Sequence, residues 1–214
     1  MAETGDIRTV ALVCPECGEK LRAPRGDVVF ACRGCGAVSE VTARGLEVVP
    51  CSWPVGPSGE DPARTLRIAY WCFHTDVRYG GSDEAGVEHL SRMVRPERVY
   101  VPAFRQRSVL AFGDMGLHLT YNPPGFTEGD PDTFSGATMG SGQASRFVAP
   151  MVLWRADQIH DVTNVSVDVR IGGIDVVALP ARDEGKRIVD LIDGRQWPEA
   201  SFLDVDALRF GRAG

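Results

Sequence analysis

The sequence predicts an α+β protein in which a small metal-binding unit precedes a mostly antiparallel sheet domain with one or two helices. Three observations lead to this prediction: two cysteine pairs near the start, several short segments with strand character, and one well-capped helical segment. With 214 residues and 43% hydrophobic composition, the chain has room for that unit and one domain of about 150 residues. We assign residues 1–50 to the metal unit, 51–64 to a linker and 65–214 to the α+β domain.

The N-terminal cysteines form two Cys-x-x-Cys pairs separated by fourteen residues. This spacing is typical of a tetrahedral zinc site with four thiolate ligands. Gly18 and Gly36 directly follow the two pairs, and each can adopt the positive φ that closes such a turn. We therefore predict one structural Zn²⁺ with four ligands: Cys14, Cys17, Cys32 and Cys35.

Two short strands are predicted between the pairs, at residues 20–23 and 28–31, with a turn at 24–27. An outgoing strand is expected at residues 45–50. About forty residues bury too little apolar surface to fold alone, whereas zinc bound at such a site supplies roughly 10 to 16 kcal/mol. Metal binding and folding of this unit should therefore be coupled.

Residues 8–50 resemble the zinc ribbon family, with the four cysteines on its ligand positions. The resemblance implies bound zinc and, often, contacts with nucleic acid or protein, but ribbons are used too widely to decide a function. The rest of the chain is similar to uncharacterised bacterial zinc-ribbon accessory proteins, through Trp71 on a strand, a strand end at residues 101–104 and the closing Leu179-Pro180. That resemblance implies an architecture and no activity.

Two other interpretations of the cysteines stay open. Four cysteines allow three disulfide pairings, but residues 1–10 carry acids and do not look like a secretory signal, so metal binding is favoured. A rubredoxin-type iron site has similar turns. In rubredoxins, however, the pairs lie farther apart and the Cys-Pro-x-Cys-Gly pair comes second, so zinc is preferred over iron.

Charge and hydrophobicity restrict the partners. The net charge is −6, and the first 50 residues carry six basic and seven acidic side chains, whereas nucleic-acid binding usually needs a basic surface. No apolar run is long enough to cross a bilayer, so we expect a cytoplasmic protein. A protein partner is therefore favoured over nucleic acid.

Two surface features are candidates for contact with a partner. The first is an arginine cluster that we interpret as a solvated face or as a site for an acidic partner or phosphate. The second is a glycine- and proline-rich loop at residues 122–143, expected to expose Phe126, Phe134 and Met139 or to be a simple insertion. The cluster consists of Arg92, Arg95, Arg98, Arg105 and Arg107.

The elements of the α+β domain follow from local patterns. Apolar side chains alternate over residues 65–78, which predicts a central strand with two apolar faces. Ser82 or Asp83 can cap a helix ending near Val94. Further strands are expected at 98–104, 146–159, 165–171, 174–179 and 186–192, with a hairpin turn at Gly172-Gly173. The spacing of an apolar tail after Gly194 would let it dock on the body or on a neighbour.

No catalytic motif is present. The four histidines are scattered, and neither a nucleophile elbow nor a phosphate-binding loop occurs. His118 is expected on the polar face of a strand, and Asp157 could pair with His160. Cys51 with Cys72 and His74 lacks the spacing of a metal turn, so we interpret these two cysteines as buried thiols.

The sequence thus favours a non-catalytic, zinc-binding accessory or scaffold subunit that acts through protein contacts in a bacterial cytoplasmic complex, with no evident small-molecule substrate. The first alternative is a nucleic-acid-binding or transcription-associated zinc ribbon protein. An enzyme and a rubredoxin-like electron carrier are favoured less than this alternative.

Overall fold

The structure is a computed structural model, and it describes most of the chain. The described residues are 10–22, 26–56, 65–106, 109–123, 127–132, 134, 136–203 and 205–209, without the side chains of 109–114. Two of the predicted partner-contact residues, Arg107 and Phe126, lie outside this description. So do residues 57–64 of the predicted linker.

Residues 10–49, here called the N-terminal unit, form a three-stranded antiparallel sheet of β1 (Val29–Ala31), β2 (Val38–Thr42) and β3 (Gly45–Val49). The strands expected near 28–31 and 45–50 are confirmed. The strand expected at 20–23 is not formed by the described residues 20–22, because Lys20 makes only an isolated bridge with Val13. β1 pairs instead with β2, since the second cysteine turn itself reverses the chain between them.

The body of the protein is built on a six-stranded sheet. Its order is β6-β5-β7-β8-β9, with β4 added parallel to β7 and the other pairs antiparallel. The predicted central strand is confirmed as β5, which pairs with β6 on one side and β7 on the other. The strands are β4 (Cys51–Ser52), β5 (Thr65–Gly81), β6 (Arg98–Pro102), β7 (Val165–Asp183), β8 (Arg187–Asp190) and β9 (Gln196–Pro198).

Helices cover both faces of this sheet. They are α1 (Glu84–Met93), α2 (Val109–Tyr121), α3 (Ser141–Ala144), α4 (Val148–Asp157) and α5 (Val205–Arg209), with 3₁₀ turns at Ser145–Phe147 and Glu199–Ser201. The helix predicted after residue 82 is confirmed as α1, and Asp83 caps it by accepting a hydrogen bond from the Gly86 N–H. The α+β class is confirmed, although the helices outnumber the one or two expected. None of the described helices combines the length and the hydrophobicity that crossing a bilayer requires.

Alternation along β5 creates two hydrophobic cores, one on each face of the sheet. Trp71 and Phe73 face a core formed with α1, α4 and the N-terminal unit. Tyr70 and Cys72 face a second core formed with α2, β8 and the C-terminal tail. Leu208 of α5 is buried in the second core, so of the two alternatives the tail docks on the body.

The strand expected at residues 146–159 is wrong, because this segment is helical. Its buried side chains are Val148, Met151, Val152 and Ala156, a helical spacing that the continuous apolar run conceals. Pro150 lies in the first turn of α4, where a missing N–H costs nothing. His118 likewise lies on a helix, α2, and not on the predicted strand.

The hairpin predicted at Gly172-Gly173 is also wrong, because both glycines lie inside the continuous strand β7. His74 pairs with Gly173, whereas Thr75 pairs with Ile171. Gly172 is therefore the extra residue of a β-bulge. After the bulge Ile174 and Val176 face the first core, and before it Val167 and Val169 do. The alternation of apolar residues is therefore interrupted, and one continuous strand has the sequence pattern of two.

The loop at 122–143 lies partly inside the protein. Phe134 and Met139 are buried, not exposed as expected. The Phe134 ring lies 5.9 Å from that of Trp53, and the Trp71 indole N–H donates to the Met139 carbonyl at 2.8 Å. The loop fills the space between the N-terminal unit and the sheet, which is why its aromatic and sulfur side chains are apolar core.

Candidate metal centre

The four predicted ligands converge on one point. The Sγ atoms of Cys14 and Cys35 are 3.6 Å apart, those of Cys17 and Cys32 are 3.5 Å apart, and all four lie within 4.8 Å of one another. Zinc–sulfur bonds of 2.3 Å at tetrahedral angles would place sulfurs about 3.8 Å apart. The cluster therefore has the dimensions of a four-thiolate zinc site.

Two similar backbone turns position these sulfurs. The Gly18 N–H donates to the Cys14 carbonyl and the Gly36 N–H to the Cys32 carbonyl, both at 2.9 Å. Gly18 and Gly36 have φ of 77° and 73°, the left-handed conformation expected of them. Each turn thus presents its two thiols to the same side of the backbone.

The turns also favour negative charge on sulfur. Burial of Cys14 opposes its ionisation, but backbone N–H groups of Cys17 and Glu16 outweigh that effect and lower the pKa of the thiol to about 7. For Cys17 the Glu19 N–H acts in the same direction, yet the neighbouring Cys32 and Cys35 raise its pKa to about 12. Several thiolates at this distance therefore need a cation between them.

A small apolar core covers one side of the cysteine cluster. Leu21 and Phe30 are buried against Cys14 and Cys32, whereas Cys17 and Cys35 are exposed. Gly36 lies so close to the loop at 122–143 that an added Cβ would be 2.2 Å from the Cβ of Pro131. The second turn therefore contacts the body of the protein directly.

The N-terminal unit is joined to the body by groups that its cysteine motif does not reveal. The Glu40 carboxylate of β2 accepts hydrogen bonds from Ser141, and Asp27 accepts one from the Gly136 N–H at 3.0 Å. Val29 and Val38 belong to the same core as Trp71. The proposed boundary at residues 51–64 stays a prediction, but its two sides share this core.

The described arginines of the predicted cluster lie on or directly after two elements, α1 and β6. Arg92 lies 3.7 Å from Glu88, and Arg95 lies 3.1 Å from Asp76. Arg98 begins β6, whereas Arg105 follows the end of that strand. The role of these residues in partner binding stays a prediction.

The histidines pair with different acids. His118 Nε2 is 2.5 Å from Asp193 Oδ2, and His160 Nε2 is 2.7 Å from Asp83 Oδ2, so His160 does not take the expected partner Asp157. These contacts link α2 to the turn after β8, and the end of α4 to the cap of α1. Both serve to fix helices on the body.

Cys51 and Cys72 do not meet. Cys51 packs in the first core and Cys72 in the second, on opposite faces of the sheet. Burial raises the pKa of Cys51, and it raises that of Cys72 to about 11. Neither thiol is an activated nucleophile in this state.

No family model, curated protein or solved structure matches this chain. The motif and the sulfur geometry are therefore what define the class: a protein with a four-cysteine cluster suited to a metal ion on an α+β body.

Proposed function

We propose that this chain is a non-catalytic accessory subunit in which a zinc ribbon organises a surface for binding another protein in the bacterial cytoplasm. The supporting observation is the complete set of four sulfur ligands. Four thiolates satisfy a tetrahedral Zn²⁺, which leaves no position for a substrate or a reactive water. Zinc at this site therefore has a structural role.

The surface of the N-terminal unit supports contact with protein. Leu12, Val13 and Val48 are exposed large apolar side chains, and β3 is the outer strand of its sheet. Val48 lies on this edge strand, and exposed apolar groups and free strand edges are each typical of protein interaction sites. The net charge of −6 disfavours the phosphate backbone of a nucleic acid as the partner.

The test is purification of the chain from its own host at mild salt, with two matched aspartate variants. Val48→Asp changes the N-terminal unit, whereas Met93→Asp changes another exposed large apolar residue, on α1 (58% exposed, against 45% for Val48). We expect a stoichiometric protein companion with the wild type and with Met93→Asp, and its loss with Val48→Asp. All three chains should retain their zinc.

A chain that elutes alone at its monomer mass would contradict the proposal. So would a companion that Val48→Asp retains. Nucleic-acid binding, the alternative, predicts a companion that nuclease removes and an affinity that falls steeply with salt.

A further inference from the structure

A second group of potential metal ligands lies on the body, on the sheet face that carries the second core. Ligand atoms of Cys72, His74 and Asp175 all lie within 4.8 Å of one another. His74 and Asp175 are the closest pair, with Nε2 and Oδ2 at 2.5 Å. All three residues are at least 37 positions away from the N-terminal cysteines in the sequence, and Cys72 belongs to a different core.

Strand register brings the three side chains together. Cys72 and His74 are two positions apart on β5, so both point to the same face. Asp175 on β7 pairs directly with Cys72, which places its side chain on that face as well. The β-bulge at Gly172 sets this register immediately beyond the site.

Gly173 is the residue of β7 opposite His74. An added Cβ there would be 3.4 Å from Cδ2 of the imidazole, an ordinary van der Waals contact, so the ring lies directly beside this residue. The arrangement of the three side chains thus follows from the register of β5 and β7 and not from chance contact of long surface side chains.

We propose that Cys72, His74 and Asp175 bind a second zinc ion, and that its fourth position is open to water or a small anion. One sulfur, one imidazole nitrogen and one carboxylate oxygen form a three-ligand set that suits Zn²⁺. Zinc bonds of 2.0 to 2.2 Å would separate the nitrogen and oxygen to about 3.3 Å. This requires less than about 1 Å of movement by two partly exposed side chains.

Burial and charge define the open side. Cys72 is 2% exposed, whereas the side chains of His74 and Asp175 are 39% and 34% exposed. The ion would therefore have sulfur beneath it and solvent on the opposite side. Zinc with one thiolate and one carboxylate is electrically neutral. Arg98 on β6 pairs with His74 on β5, and its positive charge beside the ion favours an anion.

Unlike the four-thiolate site, this site leaves one coordination position of the zinc ion open. An ion with three protein ligands and an exchangeable fourth can bind a ligand or polarise a water molecule. The inference is independent of the proposed accessory function, because it concerns the sheet of the body. It can fail while the N-terminal site holds, and the reverse is also true.

The test is zinc stoichiometry of the full chain, measured by elemental analysis after equilibration with excess zinc and removal of the unbound metal. We expect two zinc ions in the wild type and one in each of His74→Asn and Asp175→Asn. Cys51→Ser is the matched control, since it removes a cysteine from the other sheet face and should retain two. Circular dichroism checks that each variant is folded.

Cobalt gives a readout that does not depend on counting ions. In Co²⁺-substituted protein, Cys72→Ser should remove the charge-transfer absorption of one thiolate and leave that of the four-thiolate site. Azide should shift the visible bands of the second site in the wild type alone. A single zinc in the wild type, a second zinc that persists in His74→Asn and Asp175→Asn, or cobalt bands that azide leaves unchanged would each overturn the proposal.

Discussion

Glu40 of β2 holds Ser141 at the start of α3 with both carboxylate oxygens. Oε1 accepts from the Ser141 N–H at 2.6 Å, and Oε2 accepts from its hydroxyl at 2.8 Å. Glu40 is 7% exposed, so this contact is a buried polar connection between the N-terminal unit and the body. It joins the candidate metal centre to the rest of the fold.

Replacing Glu40 with alanine should lower the free energy of unfolding by about 2 to 3 kcal/mol, because two charge-assisted hydrogen bonds are lost and a buried N–H is left without its acceptor. Urea unfolding at neutral pH measures the change. Glu47→Ala is the control: Glu47 pairs with the exposed Arg44 on the same sheet, and its loss should leave the unfolding midpoint unchanged. Equal effects of the two variants would contradict the buried connection.

Removal of zinc should disturb the body as well as the N-terminal unit. Val29, Ala31 and Val38 share a core with Trp53 and Trp71, so a chelator strong enough to strip the site should change tryptophan fluorescence and near-ultraviolet circular dichroism. Returning zinc should restore both signals. Cys32→Ser should show the chelated state from the start, whereas Cys51→Ser should behave as the wild type; unchanged signals after verified zinc loss would refute this coupling.

Asp190 should make stability depend on pH. Burial raises its pKa to about 6 from the ordinary 3.8, although the N–H groups of Ile192 and Asp193 act in the opposite direction. The folded state therefore binds this proton more tightly than the unfolded state does. The resulting stabilisation is complete below about pH 4 and is lost as the pH rises through 6, with a magnitude of roughly 2 to 3 kcal/mol.

The Asp190→Asn variant isolates this effect, because an amide oxygen can still accept from the Ile192 N–H. The unfolding free energy of the variant minus that of the wild type should increase between pH 4 and pH 7. Protons compete with zinc for the cysteines to the same extent in both proteins. This contribution to the pH dependence of stability therefore cancels in the difference. A difference that is flat over this range would show that Asp190 titrates normally.

Gly116 allows α2 to lie directly on β6. An added Cβ would be 2.3 Å from the Tyr100 carbonyl oxygen and 2.6 Å from the Met151 side chain. Gly116→Ala should therefore push the helix off the strand, with a loss of about 1 to 3 kcal/mol in thermal or urea unfolding. Gly142→Ala is the matched control on α3, where an added Cβ meets nothing within 4 Å, and it should be tolerated.

Local patterns in the sequence predicted the four converging cysteines, the central strand β5 and the capped helix α1. Each of these depends on residues close together in the chain: a turn with its glycine, an alternation, a cap before its helix. The failures have equally specific causes. The apolar residues around α4 occupy more than one face of the helix, which obscured the helical spacing, and one bulge residue divided the pattern of β7 into two.

Contacts between distant segments could not be read from the sequence. Glu40 and Ser141 are 101 positions apart, and so are His74 and Asp175. His74 could be noticed as a possible ligand next to Cys72, but only the register between β5 and β7 selects Asp175 over the other acids. Burial of Phe134 likewise depends on Trp53. In the sequence Trp53 comes before β5, whereas Phe134 comes long after it.

The shared core of the N-terminal unit and the sheet has a consequence for the living cell. A chain that cannot acquire its metal leaves the apolar surface around Trp71 uncovered, and proteases and chaperones act on such chains. The abundance of the folded protein should then follow the supply of zinc. The cysteine pairs would in this way set how much of the protein the cell keeps.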